Sequence, residues 1–271
     1  MAKLKIAYIG QRGVPPTYGG VERYVDEIVR RLPPDEVETY TYCRRHYVKE
    51  QVGYTKQLFV PSLNAKGIEA FSHSFFSSLD SMFRSFDIVH FQALGPSLFS
   101  FLPRLKGTKV VCTVHGLDWQ RAKWGRTASA VIRSGDWMMG KSSSGIISVS
   151  NNLKRYYEEK YDKDVCYVPI GFSEPRISEF TETGRKFGLE KHGYVLFLNR
   201  LVPEKGIHYL IEAFQNIKQN DFKLVIGGRT PPGDRYVSKL KEMANNDNRI
   251  VFTDYLAREE VHELYSNAYL F

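Results

Sequence analysis

The chain has 271 residues, 42% hydrophobic and 25% charged, with 17 Tyr and 17 Phe, which suits two small α/β domains and excludes wholesale disorder. The net charge of +8 is one-sided: residues 1–170 hold 24 Lys/Arg against 16 Asp/Glu, while residues 171–271 are balanced. A basic first half points to an anionic partner (a phosphorylated substrate, an acidic membrane surface or nucleic acid) or to plain solubility charge.

In chain order, LKIAYI (4–9) is a short apolar run that breaks at Gly10. Val21, Tyr24, Val25, Ile28, Val29 and Leu32 follow at helical spacing, and Pro33-Pro34 stops the helix. Strands are predicted at 37–43 and 57–61. Residues 67–86 read as a helix with Phe71, Phe75, Phe76, Leu79, Met82, Phe83 and Phe86 as its apolar face. The few charges there argue for packing on a sheet rather than on lipid. Strands at 87–92 and 109–115 flank a short helix, and a helix (127–142), a strand (145–150) and a helix N-capped by Ser150 follow. The strand 164–171 closes this half.

The rhythm restarts after a polar connection (173–192). Strands are predicted at 194–200, 222–228 and 249–255, with helices from Lys205 to Gln219, over 235–246 and over 258–268. A last strand begins at 268. Alternating strands and helices define an α/β chain with parallel sheets, arranged as two Rossmann-like domains, 1–170 and 171–271. Ligands in such sheets bind at the carboxyl ends of the strands. Only four strands are predicted in the second domain, which is therefore expected to be incomplete and the chain truncated.

No apolar stretch is long enough to span a bilayer, and the first apolar run is too short for a signal peptide, so a cytoplasmic protein is expected. Cys43, Cys112 and Cys166 show no metal spacing and read as buried thiols in a reducing compartment.

Two turns carry chemistry. IGQRGVPPTYGGVERYVDEI lacks the G-x-G-x-x-G spacing, which disfavours NAD. It keeps Gly19-Gly20 at a helix opening, where bare amides can approach an anion or simply form a flexible turn. In RLVPEKG (200–206), Arg200 and Lys205 put two cations on one strand-to-helix loop, suited to a diphosphate or merely solvated. His115 ends the strand VCTVH, as a sugar-site residue or a structural strand cap. Trp119 and Trp124 could stack on a sugar or be packed. His46 and His90 read as structural.

GVPPTYGGVERYVDEI, VCTVHGLDWQRAKWG and YVLFLNRLVPEKGIHYLIEAF together resemble the retaining GT-B glycosyltransferases of family 4 over essentially the whole chain. The first segment is most similar to the bacterial rhamnosyltransferase-like members. The resemblance implies two domains facing a cleft and a donor diphosphate held by Gly19, Gly20, Arg200 and Lys205. It implies a nucleoside bordered by Gly228, Tyr255 and Leu256, and His115 at the donor sugar. Asp118 and Arg121, on the loop after His115, are candidates for the acceptor side.

The implied reaction moves a sugar, rhamnose among the candidates, from a nucleoside-diphosphate sugar to a saccharide or lipid-linked saccharide acceptor in surface polysaccharide synthesis. Neither cofactor nor metal is expected, and contact with the inner face of the membrane accompanies a lipid-linked acceptor. A pair of glutamates that the family uses for the donor would fall beyond Phe271, so the chain alone is expected to be inactive. The competing readings are a non-catalytic basic fragment that docks on nucleotide or membrane, and a GT-B phosphorylase or epimerase. Nucleic-acid binding is disfavoured because no recognition motif accompanies the charge.

Overall fold

The computed structural model describes residues 2–17, 19–63, 65, 67–121, 124–172, 174, 177–218, 221–228, 235–254 and 256–271. The chain divides into two compact units, Met1–Gly171 and Phe172–Phe271.

The first unit is built on a seven-stranded parallel sheet in the order β3-β2-β1-β4-β5-β6-β7. Its strands are β1 (Leu4–Ile9), β2 (Val37–Cys43), β3 (Lys56–Phe59), β4 (Ile88–Gln92), β5 (Lys109–Val114), β6 (Gly145–Ser148) and β7 (Val165–Tyr167). The helices are α1 (Gly20–Arg31), α2 (Glu69–Ser81), α3 (Phe101–Leu105), α4 (Arg126–Ser142) and α5 (Asn151–Tyr161). Helix α1 ends just before Pro33, and the Ser150 hydroxyl accepts from the Leu153 amide to cap α5.

Strand alternation sorts the core onto two faces. Ala7, Ile9, Val89, Phe91, Val110, Cys112 and Val114 pack with Ile132, Met139 and Tyr157 of α4 and α5. Tyr8, on the opposite face, packs with Val25 and Val29 of α1.

Helix α2 reverses the expected orientation. It buries Ser72, His73, Ser74, Ser77, Ser78 and Ser81 and leaves Phe71, Phe75, Leu79 and the following Phe83 exposed. The cause is steric and local. Serines are small enough for close approach, and the Ser74 and Ser78 hydroxyls donate to the carbonyls of Ala70 and Ser74, four residues earlier, at 2.7 Å. Buried hydroxyls satisfied within their own helix cost little. Their sequence position gives no sign of this, because serine is scored as polar.

The second unit has a three-stranded parallel sheet, β10-β9-β8, formed by β8 (Tyr194–Leu198), β9 (Lys223–Gly227) and β10 (Ile250–Asp254). The strand expected at 268–271 is a single bridge between Val195 and Leu270. Helices α7 (Ile207–Gln215), α8 (Arg235–Ala244) and α9 (Arg258–Asn267) accompany the sheet. The connection before it contains one short helix, α6 (Glu182–Lys186), absent from the sequence-based expectation. Its amino end is held by Glu263 of α9, whose carboxylate accepts from the amides of Thr181, Thr183 and Gly184 and from the Thr181 hydroxyl. Two further corrections concern small features. Cys166 is exposed, unlike buried Cys43 and Cys112, because β7 is an edge strand. The helix expected to start at Lys205 starts at Ile207, after a 3-10 turn at Pro203–Lys205 and a left-handed Gly206.

Candidate functional site

The sequence-singled residues of the first unit collect where strands β1, β4 and β5 end. The loop after β1 is rigidly tied. The Gln11 side chain donates to the Tyr8 and Tyr42 carbonyls, the Arg44 amide donates to the Arg12 carbonyl, and the Thr17 amide donates to the Tyr47 hydroxyl. The Arg12 amide donates to Glu22 Oε1 at 3.1 Å, fixing a buried carboxylate in the first turn of α1.

The two glycines differ. Gly19 has φ of 110°, and a Cβ there would stand 1.9 Å from Glu22 Oε2, so this position admits only glycine. Gly20 would place a Cβ in open space, with nothing within 4 Å. Gly19 is thus required by the loop itself, while the space above Gly20 is open for another molecule.

Beside this loop, alternation along three buried strands lines up polar groups on one face: Tyr8 on β1, His90 and Gln92 on β4, and Thr113 on β5, with His115 just beyond β5. His90 Nε2 lies 2.7 Å from Thr113 Oγ1, and His115 Nε2 lies 3.0 Å from Gln92 Oε1. The His115 ring meets Tyr24 of α1 edge-on, with centroids 5.0 Å apart. Burial, helped by the positive charge of Arg121, pushes the His115 pKa down to about 4. Burial and the neighbouring His115 push His90 to about 3. Both rings are neutral at physiological pH.

Asp118 and Arg121 form an ion pair of 3.0 Å across the short turn after His115. Trp119 and Trp124 are partly buried against the main core, and Lys160 Nζ lies 5.0 Å from the Trp119 ring centre. Sequence reading missed Gln92, Glu22 and Tyr24. The available signal was the polar pair His90/Gln92 at period 2 in an otherwise apolar strand.

In the second unit, the strand ends carry Arg200 and Lys205 after β8, Gly228 after β9 and Leu256 after β10. Arg200 and Lys205 are exposed, and neither forms an ion pair among the described residues. The Arg200 amide donates to the Asn199 side chain at 2.9 Å. Gly228 has φ of 147°, and a Cβ there would fall 1.7 Å from the Asn199 carbonyl oxygen, so glycine is required for two strand ends to meet. The Leu256 side chain lies in the core with Tyr194, Leu196, Val225 and Leu264, leaving only backbone for a ligand. Tyr255 and residues 229–233 lie outside the described residues. Among the described residues no cluster of three or more His, Cys, Asp or Glu could hold a metal, and no helix is long and apolar enough to cross a membrane.

Two α/β units, each built on a parallel sheet, are the architecture of GT-B proteins, and the comparisons with known proteins agree. Residues 18–173 match the family described as Glycosyltransferase Family 4, so the chain belongs to that family, and residues 179–271 match Glycosyl transferases group 1. The uncharacterized glycosyltransferase YqgM of Bacillus subtilis (strain 168) is 27% identical over 189 residues, covering 68% of this chain and 51% of YqgM. The chain spans about half the length of the curated relatives it matches.

Two solved structures share the fold. The sucrose-phosphate synthase of Thermosynechococcus elongatus has a TM-score of 0.76 at 16% identity, covering 98% of this chain and 74% of that one. Anabaena Alr3699/HepE, in complex with UDP and glucose, has a TM-score of 0.70 at 15% identity, covering 98% and 72%.

Proposed function

We propose that the protein is a retaining glycosyltransferase that moves a sugar from a nucleoside-diphosphate sugar to a saccharide or lipid-linked saccharide acceptor in surface polysaccharide synthesis. The observation that carries this reading is the exposed pair Arg200 and Lys205 at the end of β8, without acidic partners among the described residues, in a chain of family 4. Two unneutralised cations on one short loop favour a doubly charged diphosphate. The complex of HepE with UDP and glucose supports a donor of this chemical class.

In this mechanism Arg200 and Lys205 stabilise the charge that grows on the leaving diphosphate. The Gly20 amide, at the first position of α1, contributes a further donor at a helix start, and Gly19 holds the turn in place. Gly228 and the Leu256 backbone border the nucleoside, along with Tyr255. Neutral His115 offers a hydrogen bond to the donor sugar without adding charge. The acceptor hydroxyl attacks from the face that the diphosphate leaves, and a leaving-group phosphate oxygen takes its proton. Asp118 and Arg121 orient the acceptor. No metal or further cofactor is needed, and the first donor to assay is TDP-rhamnose.

Calorimetric titration of UDP, TDP and GDP against the protein and an Arg200→Ala/Lys205→Ala variant tests the assignment. The double variant is expected to lose about a hundredfold or more in affinity, since hydrogen bonds to charged groups each contribute ~1.5–3 kcal/mol. Equal affinity in the two proteins sinks it.

A further inference from the structure

We infer that the outer face of α2, α3 and α4 is a docking surface for an anionic lipid bilayer. This goes beyond the sugar-transfer reading and does not depend on it.

The starting point is the reversal of α2. Its serines make the contact with the sheet, so its large apolar side chains are left over. Ile68, Phe71, Phe75, Leu79 and Phe83 recur at intervals of three or four residues and form one outward stripe. Phe83 is 77% exposed. The stripe continues onto neighbouring elements. The turn at Pro96–Phe99, directly before α3, packs against both α2 and α4, and Phe99 meets Phe71 edge-on with centroids 4.9 Å apart. Leu105 of α3 and Trp137 of α4 are 72% and 56% exposed. A shallow groove of about 350 Å³ lies at Trp137, Met138, Arg133 and Leu98. Soluble surfaces rarely leave so many large apolar side chains exposed on neighbouring packed elements without a partner.

The charges on this face select the partner. Lys106 follows Leu105, and Arg133 and Lys141 lie one turn before and one turn after Trp137 on α4; all three are exposed. The acids of the same segments are already engaged. Glu69 is paired with Arg44 and His46, Asp80 accepts from Tyr42 and Arg84, and buried Asp136 is bound by Lys160 and Tyr161. The face therefore presents aromatic and aliphatic groups together with uncompensated cations.

An anionic bilayer meets both demands. Phenylalanines enter the boundary between headgroups and acyl chains, an indole settles at headgroup level, and lysines and arginines reach the phosphates. A second copy of the chain fits less well, because a two-fold contact would set these cations against themselves. Nucleic acid would use the cations but leave the phenylalanine stripe unburied.

The test is flotation of the 271-residue chain with vesicles of phosphatidylcholine alone and of phosphatidylcholine containing roughly one-third phosphatidylglycerol. Binding is expected to the anionic vesicles only, and to fall as salt is raised. Lys106→Gln and Arg133→Gln should each weaken it about fivefold, as expected for ~1 kcal/mol per cation near an anionic surface. Phe83→Gln/Leu105→Gln should abolish it while leaving the circular dichroism and melting temperature unchanged. Brominated acyl chains should quench fluorescence in the native protein and much less in Trp137→Phe. Absence of flotation with anionic vesicles, or flotation that both sets of variants leave intact, overturns the inference. So does lipid-free dimerisation that Phe83→Gln/Leu105→Gln abolishes, which would make a second copy the occupant.

Discussion

Gln92 Oε1 lies 3.0 Å from His115 Nε2, joining the carboxyl ends of two adjacent buried strands. With the amide oriented this way, His115 donates through Nε2 and keeps Nδ1 as a lone-pair acceptor. Gln92 is fully buried, and its own Nε2 finds no partner among the described residues. The glutamine is thus a positioning residue: it fixes the tautomer and plane of a ring that burial keeps neutral.

Gln92→Glu should reverse the electrostatics of that ring. A carboxylate at this position favours the imidazolium, so the His115 pKa should rise from about 4 by more than about one unit. Gln92→Leu should instead leave the pKa low and lower the turnover number with little change in nucleoside-diphosphate affinity. Nuclear magnetic resonance titration of the imidazole checks the first outcome, and a kcat-against-KM comparison checks the second. An unmoved His115 midpoint in Gln92→Glu would show that the two side chains are not coupled.

The glycine pair offers a contrast between fold and ligand. Gly19→Ala forces a Cβ into the Glu22 carboxylate at a backbone angle that alanine rarely adopts, and should cost about 2–3 kcal/mol. Gly20→Ala sits at the first position of α1 with open space around it and should change stability by less than about 1 kcal/mol. If that space holds an anion, Gly20→Ala weakens binding without loosening the fold. Urea denaturation and nucleotide titration on the two variants separate these effects.

Acid should affect the two units over different ranges. His115 and His90 have folded pKa values of about 4 and about 3, below the ordinary histidine value near 6.5. As pH falls through that interval the unfolded chain binds protons that the folded unit refuses, so the first unit loses stability from about pH 6.5 downward. Glu263 behaves as a carboxylate with a depressed pKa. Burial pushes it upward, but the Gly184 amide, the Thr181 hydroxyl and the other donors outweigh this and hold it at about 2. Its contribution is fully present above about pH 4.5 and is lost as pH falls toward 2. Hydrogen exchange at stepped pH should therefore show the first unit loosening before the Thr181–Gly184 turn does. Glu263→Gln should cost the second unit about 2–3 kcal/mol at neutral pH, because an amide nitrogen replaces an acceptor facing backbone donors. A transition of the second unit indistinguishable from wild type would contradict that.

The reversed helix makes a direct stability prediction. Ser78 is fully buried in the inner face of α2, so Ser78→Leu should overpack the interface and cost about 1–3 kcal/mol. Phe83→Gln, on the outer face, should change stability by less than about 0.5 kcal/mol. Thermal melts of both variants decide it. A hydrophobicity scale ranks the two substitutions in the opposite order.

The sequence by itself determined most of the strand and helix order. Apolar runs such as LKIAYI and KVVCTV, alternating with amphipathic helices, define a parallel sheet, and punctuation such as Pro33-Pro34 and Ser150 marks helix ends through local geometry. It also located Arg200, Lys205, Gly19-Gly20 and His115, since each lies on a strand-to-helix connection, which chain order alone brings to the carboxyl end of a parallel sheet. The tertiary structure decided what depends on partners distant in sequence. Gly228 is obligatory because of Asn199. Gln92 matters because β4 lies beside β5 and brings it to His115. Leu256 is core because Tyr194, Val225 and Leu264 surround it. The serine stripe of α2 faces inward because close packing rewards small side chains, and the hydroxyls of Ser72, Ser74, Ser78 and Ser81 bond within the helix. Hydrophobicity read along a chain measures the cost of exposing each residue singly. Which face is buried is set by how elements fit together, and that fit is a property of the assembled layers.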